Sequence, residues 1–166
     1  MANDPHGFQE FAAARGASLF RTACLLCGDR HLAEDLVQTT LGKLYVSWRR
    51  VQRADNPGAY ARAVLMRTYL SHMRKHSSKE TPWQRLPDRA AAGGADQALR
   101  VTLLDGLARL PPQDRAVLVL RYWEDLSVED VASTLRLSNG AVRNRSMRAL
   151  GRLREALGEE FEELIR

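Results

Sequence analysis

Apolar residues recur along most of the chain at the three- to four-residue spacing of α-helices, and no segment alternates apolar and polar residues for long enough to predict a strand. In the N-terminal part this spacing predicts three helices. The first ends at Gly28, and Asp29 caps the second, which is expected to include Trp48. Asn56 caps the third, which runs to about His76. The pattern therefore predicts an all-α protein.

The helical spacing is interrupted between residues 77 and 96, where two prolines and a glycine pair predict a flexible linker. This segment separates two predicted helical domains, residues 1–76 and residues 97–166. Within the second domain, Pro111 and Pro112 separate the first two helices. We therefore expect two small helical domains joined by a flexible linker.

A helix-turn-helix motif is predicted in the second domain. Ser127 caps a short helix as part of a capping box, and Ser138 caps the next helix after the tight turn "RLSNG". A short helix, a turn of a few residues and a longer helix that is basic on its outer face are typical of this motif. The second helix of such a motif lies in the major groove of DNA.

The last long helix, predicted over residues 139–155, combines an apolar face with a basic one. Asn144, Met147 and Arg148 project from the centre of the basic face, and we expect no acidic residue to neutralise this face. Such a face indicates an anionic partner, with a solvated cationic face as the alternative. In a helix-turn-helix motif the arginines would contact phosphates and guanine edges.

A second basic stripe lies on the helix that begins near Asn56. Aromatic and basic side chains on one face suit single-stranded nucleic acid, because rings stack on bases and cations follow the backbone. A charged, solvated face is again the alternative. The stripe consists of Tyr60, Val64, Arg67, Ser71, Arg74 and Lys75.

The charge distribution supports contacts with a polyanion. The formal net charge is +5, but residues 43–76 hold eight Lys and Arg against one acidic residue, and residues 136–154 hold six against none. No apolar run is long enough to span a membrane, and the N-terminus does not have the pattern of a signal peptide. We therefore expect a cytoplasmic protein without membrane contacts.

The two cysteines of "CLLC", Cys24 and Cys27, raise the alternative of a thiol sensor or, with His31, a metal site. Zinc needs a fourth ligand and a thioredoxin-type motif needs a βαβ unit, and the sequence predicts neither. We predict reduced thiols buried in the core. No spacing of residues indicates a catalytic site, and we expect no cofactor and no metal ion.

Several motifs together resemble the extracytoplasmic-function sigma factors of bacteria. The segment "LPPQDRAVLVLRYWEDLSVEDVASTLRLSNGAVRNRSMRALGRLREAL" resembles their domain that reads the promoter −35 element. The segments "LLCGDRHLAEDLVQTTLGKLYVSW" and "NPGAYARAVLMRTYLSHMRKH" resemble the domain that binds the polymerase clamp and reads the −10 element. The motif "GDRHLAEDLVQ" is similar to that of the actinobacterial, sigma-E-like branch.

This resemblance implies an alternative sigma factor rather than an enzyme. Such a protein binds core RNA polymerase, through the clamp of the largest subunit and the flap of the second largest, and directs initiation at promoter DNA by reading the −35 duplex and the −10 single strand. It allows an anti-sigma factor as a further partner. The alternative is a stand-alone helix-turn-helix regulator, which would not need a polymerase-binding segment.

The resemblance also assigns residues to three contacts, each by its position in a matching motif. The −10 contact corresponds to the basic stripe, which consists of Tyr60, Val64, Arg67, Ser71, Arg74 and Lys75. The −35 contact matches Arg121, Ser138, Asn139, Arg143, Asn144, Met147 and Arg148, of which Arg121 would bind phosphate and Ser138 could serve only as a cap. The polymerase contact matches Asp35, Gln38, Leu41, Gly42 and Tyr45, with packing inside the domain as the alternative, above all for Leu41.

The chain departs from the family pattern at several positions that affect these assignments. Polar Asn139 and Asn144 stand where smaller or apolar residues are usual. Arg136 stands where many relatives have glycine, so the turn before the basic helix is expected to be strained or to differ. Arg67 stands where an asparagine is common. Since arginine only donates hydrogen bonds, a changed −10 preference is expected.

Overall fold

The computed structural model describes residues 4–77 and 94–164, and within these ranges every regular element is a helix. The all-α prediction is confirmed. The chain divides into two compact units, Met1–Thr81 and Pro82–Arg166. Most of the predicted linker, residues 77–96, lies outside the described residues. None of the helices in the described ranges is long and apolar enough to cross a membrane.

Residues 4–77 of the first unit form four helices, and their ends follow from local backbone chemistry. Helix α1 ends where Gly28 adopts a left-handed conformation with φ of 66°, and the Asp29 carboxylate accepts hydrogen bonds from the backbone of α2. The Asn56 side chain accepts from the backbone N–H of Ala59 at 3.0 Å and caps α4. These three predicted ends are confirmed. The helices are α1 (Pro5–Cys27), α2 (Arg30–Val46), α3 (Trp48–Arg53) and α4 (Pro57–His76).

The predicted extent of the second helix is wrong at its C-terminal end. Helix α2 ends at Val46, and Trp48 begins the short helix α3 after a break at Ser47. Trp48 is buried, with its ring centroid 5.6 Å from that of Phe8 and 5.3 Å from that of Phe11. Packing of the Trp48 ring against α1 therefore stabilises the break at Ser47. The helical spacing of apolar residues does not reveal this packing.

The core of the first unit forms where α1, α2 and α4 pack on one another. Its largest fully buried side chains are Leu26, Leu44, Val51, Leu65, Met66 and Tyr69.

The two cysteines differ in their surroundings. Cys27 is buried, and its thiol donates to the Asp29 carbonyl at 3.2 Å, whereas Cys24 is only half-buried. The predicted burial is therefore confirmed for Cys27 alone. Neither cysteine forms a disulfide, and within residues 4–77 and 94–164 no three His, Cys, Asp or Glu side chains are grouped to hold a metal ion.

The second unit is centred on its longest helix, α8, which packs against α5, α6, α7 and α9. The apolar face of α8 buries Val142, Ala149 and Leu153, as the sequence predicts. Gly106 lets α5 approach this face closely, since a Cβ there would lie 2.8 Å from Leu153 Cδ1. The helices are α5 (Gly94–Ala108), α6 (Pro112–Leu118), α7 (Val128–Leu135), α8 (Asn139–Leu157) and α9 (Glu160–Leu164).

Helices α7 and α8 form the predicted helix-turn-helix motif. The hydroxyl oxygens of Ser127 and Ser138 each accept a backbone N–H at 3.0 Å at the start of their helices. Arg136 ends α7 in a left-handed conformation with φ of 56°. A non-glycine residue there costs roughly 1 kcal/mol, so the expected strain in this turn is confirmed.

One feature of the second unit has no counterpart in the sequence prediction. Helix α6 continues directly into a π-helical turn, Val119–Trp123, in which the Glu124 N–H donates to the Val119 carbonyl at 3.0 Å. The turn leaves the rings of Tyr122 and Trp123 about half exposed.

Candidate nucleic-acid interface

The outer face of α8 is exposed, and it carries the polar and basic side chains that the sequence predicts there. Asn139, Arg143 and Asn144 are exposed, and Met147 is 74% exposed despite its apolar side chain. The Ser138 hydroxyl oxygen accepts the Ala141 N–H, so its established contact is a helix cap. A large apolar side chain projecting from a basic helix face is suited to packing against a base in a groove.

An acid from another helix neutralises part of this face. Asp114 of α6 has no exposed surface and accepts hydrogen bonds from two arginines of α8. Arg145 Nη1 lies 2.9 Å from Oδ1, and Arg148 binds both oxygens, with Nη2 at 3.1 Å from Oδ1 and Nε at 3.2 Å from Oδ2. The expectation of a face without a neutralising acid is therefore wrong for these two arginines, because the acid lies more than 30 residues earlier in the chain.

Asp114 is ionised in this arrangement. Burial raises the pKa of Asp114, but hydrogen bonds from Arg148 and Arg145 and their charges outweigh burial and hold it below the ordinary value. The same contact raises the pKa of Arg148. A carboxylate with a lowered folded-state pKa stabilises the fold above the ordinary aspartate pKa, and this stabilisation is lost as the pH falls through the lowered value.

Arg121 makes a contact within the protein that the sequence did not predict. Its Nη1 donates to the Leu126 carbonyl at 2.6 Å, and its guanidinium carbon lies 5.7 Å from the ring centroid of Tyr122. The side chain is half-buried. Arg121 therefore stabilises the loop after the π-helical turn, whatever it contributes to binding phosphate.

The basic stripe of the first unit is only partly as predicted. Arg67, Arg74 and Lys75 are exposed, and Tyr60 and Ser71 are half-buried. Val64, however, is only 9% exposed, because α4 packs against α2 along this side. Val64 therefore offers little accessible surface within the stripe, and its assignment to the −10 contact stays a prediction.

Tyr60, Val64 and Arg67 line one wall of an open groove of about 640 Å³. Gly42 and Lys43 of α2 also line the groove. The Lys43 ammonium donates to the Thr68 hydroxyl at 3.0 Å, which holds a second cation at the groove. Lys43 is not among the predicted site residues, although it begins the basic segment 43–76.

The residues assigned to polymerase binding lie mostly on the open side of α2. Asp35, Gln38 and Gly42 are exposed, and Leu41 is half-buried, so its alternative as a packing residue stands. Tyr45 is 43% exposed, and its ring packs edge-on against Phe8 with the centroids 5.1 Å apart. Helix α2 therefore has an accessible polar face. The Tyr45 ring lies beside this face, partly exposed and partly packed against Phe8.

Asp35 also lies close enough to α4 to act on His72. Burial lowers the pKa of His72, as does the charge of neighbouring His76, whereas the Asp35 carboxylate raises it. The ring centroids of His72 and His76 lie 4.2 Å apart. The net effect lowers the His72 pKa, so this ring is neutral at neutral pH.

Comparison with known proteins finds two family matches. Residues 13–79 match the family described as Sigma-70 region 2, and residues 106–155 match Sigma-70, region 4. The RNA polymerase sigma-E factor of Streptomyces coelicolor is 37% identical over 151 residues, which cover 90% of this chain and 85% of that protein. The sigma factor CarQ of Myxococcus xanthus is 36% identical over 138 residues, covering 77% of this chain and 76% of that protein.

Solved structures agree with these matches. The sigma factor RpoE of Bartonella quintana, in complex with the anti-sigma factor NepR, aligns with a TM-score of 0.76 and 25% identity over 92% of this chain and 98% of that one. CnrH, in complex with the cytosolic domain of CnrY, aligns with a TM-score of 0.62 and 27% identity over 93% of this chain and 89% of that one.

Proposed function

The chain belongs to the extracytoplasmic-function sigma factors, in their actinobacterial sigma-E-like branch, and we propose that it guides core RNA polymerase to promoters by reading DNA with two separate surfaces. It is an alternative sigma factor that directs transcription. Residues 1–76 form the domain that binds the clamp and reads the −10 element. Residues 97–166 form the domain that reads the −35 element, and residues 77–96 link the two.

The observation that carries this proposal is the outer face of α8. A helix that is capped by Ser138, follows a tight turn and presents polar and basic side chains outward is suited to the major groove. We assign to the −35 duplex the exposed side chains of this face, together with Arg121 and Ser138. The face consists of Asn139, Arg143, Asn144, Met147 and Arg148.

The −10 strand is assigned to the groove and basic stripe of the first unit. Tyr60 and Arg67 border the groove, where a base can stack on a ring while cations attract the backbone. Val64 forms part of the wall, and Lys43 adds a charge from α2. Ser71, Arg74 and Lys75 continue the stripe along α4. Since Arg67 can only donate, it favours a base that offers acceptors, such as guanine.

The polymerase clamp is assigned to the exposed face of α2, formed by Asp35, Gln38, Leu41, Gly42 and Tyr45. The flap of the second largest subunit would contact the second unit. The protein acts where polymerase and promoters are, in the cytoplasm, and it is a binding protein rather than an enzyme. Since the solved relative RpoE is in complex with an anti-sigma factor, an anti-sigma factor is a further proposed partner of this chain.

We expect the isolated protein to bind promoter duplex weakly, within about tenfold of its affinity for scrambled DNA, because each surface offers few base contacts. Core polymerase should increase this discrimination, since it holds the two surfaces on one promoter. Fluorescence anisotropy with labelled promoter and scrambled duplexes, with and without core polymerase, measures both quantities. Tight and specific binding by the isolated chain, without binding to core polymerase, would instead identify a stand-alone regulator.

A further inference from the structure

The carboxylate of Asp114 binds two arginines of α8, and one of these projects toward the proposed −35 contact. Asp114 lies in the first turn of α6 and has no exposed surface. The side chain of Arg148 remains 51% exposed, and that of Arg145 is 29% exposed. A buried carboxylate is costly unless it is paired and hydrogen-bonded. This pairing therefore holds both arginines of α8 against α6.

The geometry leaves the outer part of the Arg148 guanidinium available. Asp114 accepts from Nε and Nη2, which form one side edge of the planar group. The end edge, formed by Nη1 and the second N–H of Nη2, is not used in this contact. Two parallel donors on one edge are what a bidentate contact with guanine O6 and N7 requires. Arg148 can therefore bind Asp114 and a guanine at the same time.

We propose that Asp114 is a positioning residue for −35 recognition, which fixes the guanidinium plane of Arg148 so that its end edge meets a guanine. This inference rests on the proposed function of α8. An arginine without this partner would populate several rotamers, and fewer of them would present two donors to one base. Asp114 also offsets one of the two positive charges, which reduces attraction to phosphates of any sequence.

The alternative is that Asp114 only joins α6 to α8. A purely structural pair would affect the free energy of unfolding, but it would not change which base is preferred by the folded protein. Base preference and salt dependence therefore distinguish the two roles. The measurement needs holoenzyme, because discrimination is proposed to depend on core polymerase.

The test uses Asp114→Asn, which keeps the shape of the side chain and removes its charge. Transcription by holoenzyme from a promoter library randomised over the −35 element is measured at two salt concentrations, and thermal unfolding shows that the variant is folded. We expect the preference at one −35 position to fall by about tenfold, with the other positions retained. Salt dependence should become steeper, because a positive charge is no longer offset.

Asp130→Asn is the matched control, since it removes an exposed carboxylate of α7 and leaves the pairing of Asp114 with Arg145 and Arg148 intact. It is expected to leave every base preference unchanged. In an Arg148→Ala background, Asp114→Asn should have no further effect on base preference, because Asp114 acts through Arg148.

Asp114→Glu keeps the charge but displaces the carboxylate. If the asparagine variant does not fold, this variant distinguishes a positioning role of Asp114 from a purely structural one. It should reduce the same base preference while the salt dependence stays that of the unaltered protein. A folded Asp114 variant with the original preference at every −35 position would overturn the proposal. Failure of the unaltered holoenzyme to select any promoter would contradict the proposed function instead.

Discussion

Replacing Arg148 with alanine should lower transcription from cognate promoters by roughly tenfold or more and remove the preference for one −35 base pair, because a bidentate arginine–guanine contact discriminates by about 1–3 kcal/mol. The side chain is half exposed on the outer face of α8 and is oriented by Asp114. Transcription from a library randomised over the −35 element measures the effect at each position.

Two further variants separate base reading from charge and stability. Arg148→Lys keeps a cation beside Asp114 but cannot present two donors on one planar edge, so it should lose the same base preference. Arg152→Ala removes an exposed arginine of α8 outside the proposed contact, and it should keep the preference. If Arg148→Ala and Arg152→Ala have the same preference as the unaltered protein, the proposed orientation of α8 on DNA is wrong.

Reversing the charge of Asp35 should weaken binding to core polymerase by about 100-fold, because removing one charged partner from a contact across an interface costs several kcal/mol. Asp35→Arg places this change on the exposed face of α2, away from the side that packs in the core. Competition with a labelled sigma factor for core polymerase measures the affinity.

Glu34→Arg is the matched control for this change. Glu34 is the neighbouring residue on α2, is also exposed, and pairs only at the surface with Arg30 at 3.4 Å. Its reversal changes the net charge equally but lies outside the proposed contact, so the affinity should change by no more than about threefold. Equal losses for both variants would show that total charge, and not the assigned face, determines binding.

Much of the fold could be predicted because helix ends depend on nearby residues. Gly28, Asp29 and Asn56 in the first unit, and Ser127 and Ser138 in the second, mark helix ends by their own backbone or side-chain chemistry. The outward direction of Asn144 and Met147 could likewise be predicted, since helical geometry determines it once the apolar face is known.

What could not be predicted depends on contacts between helices. The pairing of Asp114 with Arg145 and Arg148 joins residues 31 and 34 positions apart, and periodicity within one helix contains no information about it. Asp114 lies close to the apolar run "AVLVL", and this position indicates a buried charge that needs a partner. The sequence does not indicate which residue that partner is. The burial of Val64 and the break before Trp48 depend in the same way on neighbouring helices.

Run-off transcription with purified core polymerase and a library of promoter-sized DNA fragments tests the central claim most directly. We predict that adding this protein produces transcripts from a subset of fragments that share two sequence elements at a constant spacing, corresponding to the −35 and −10 contacts. Core polymerase alone should not select these fragments. Transcripts that do not depend on the protein, or start sites that share no sequence elements, would contradict the account.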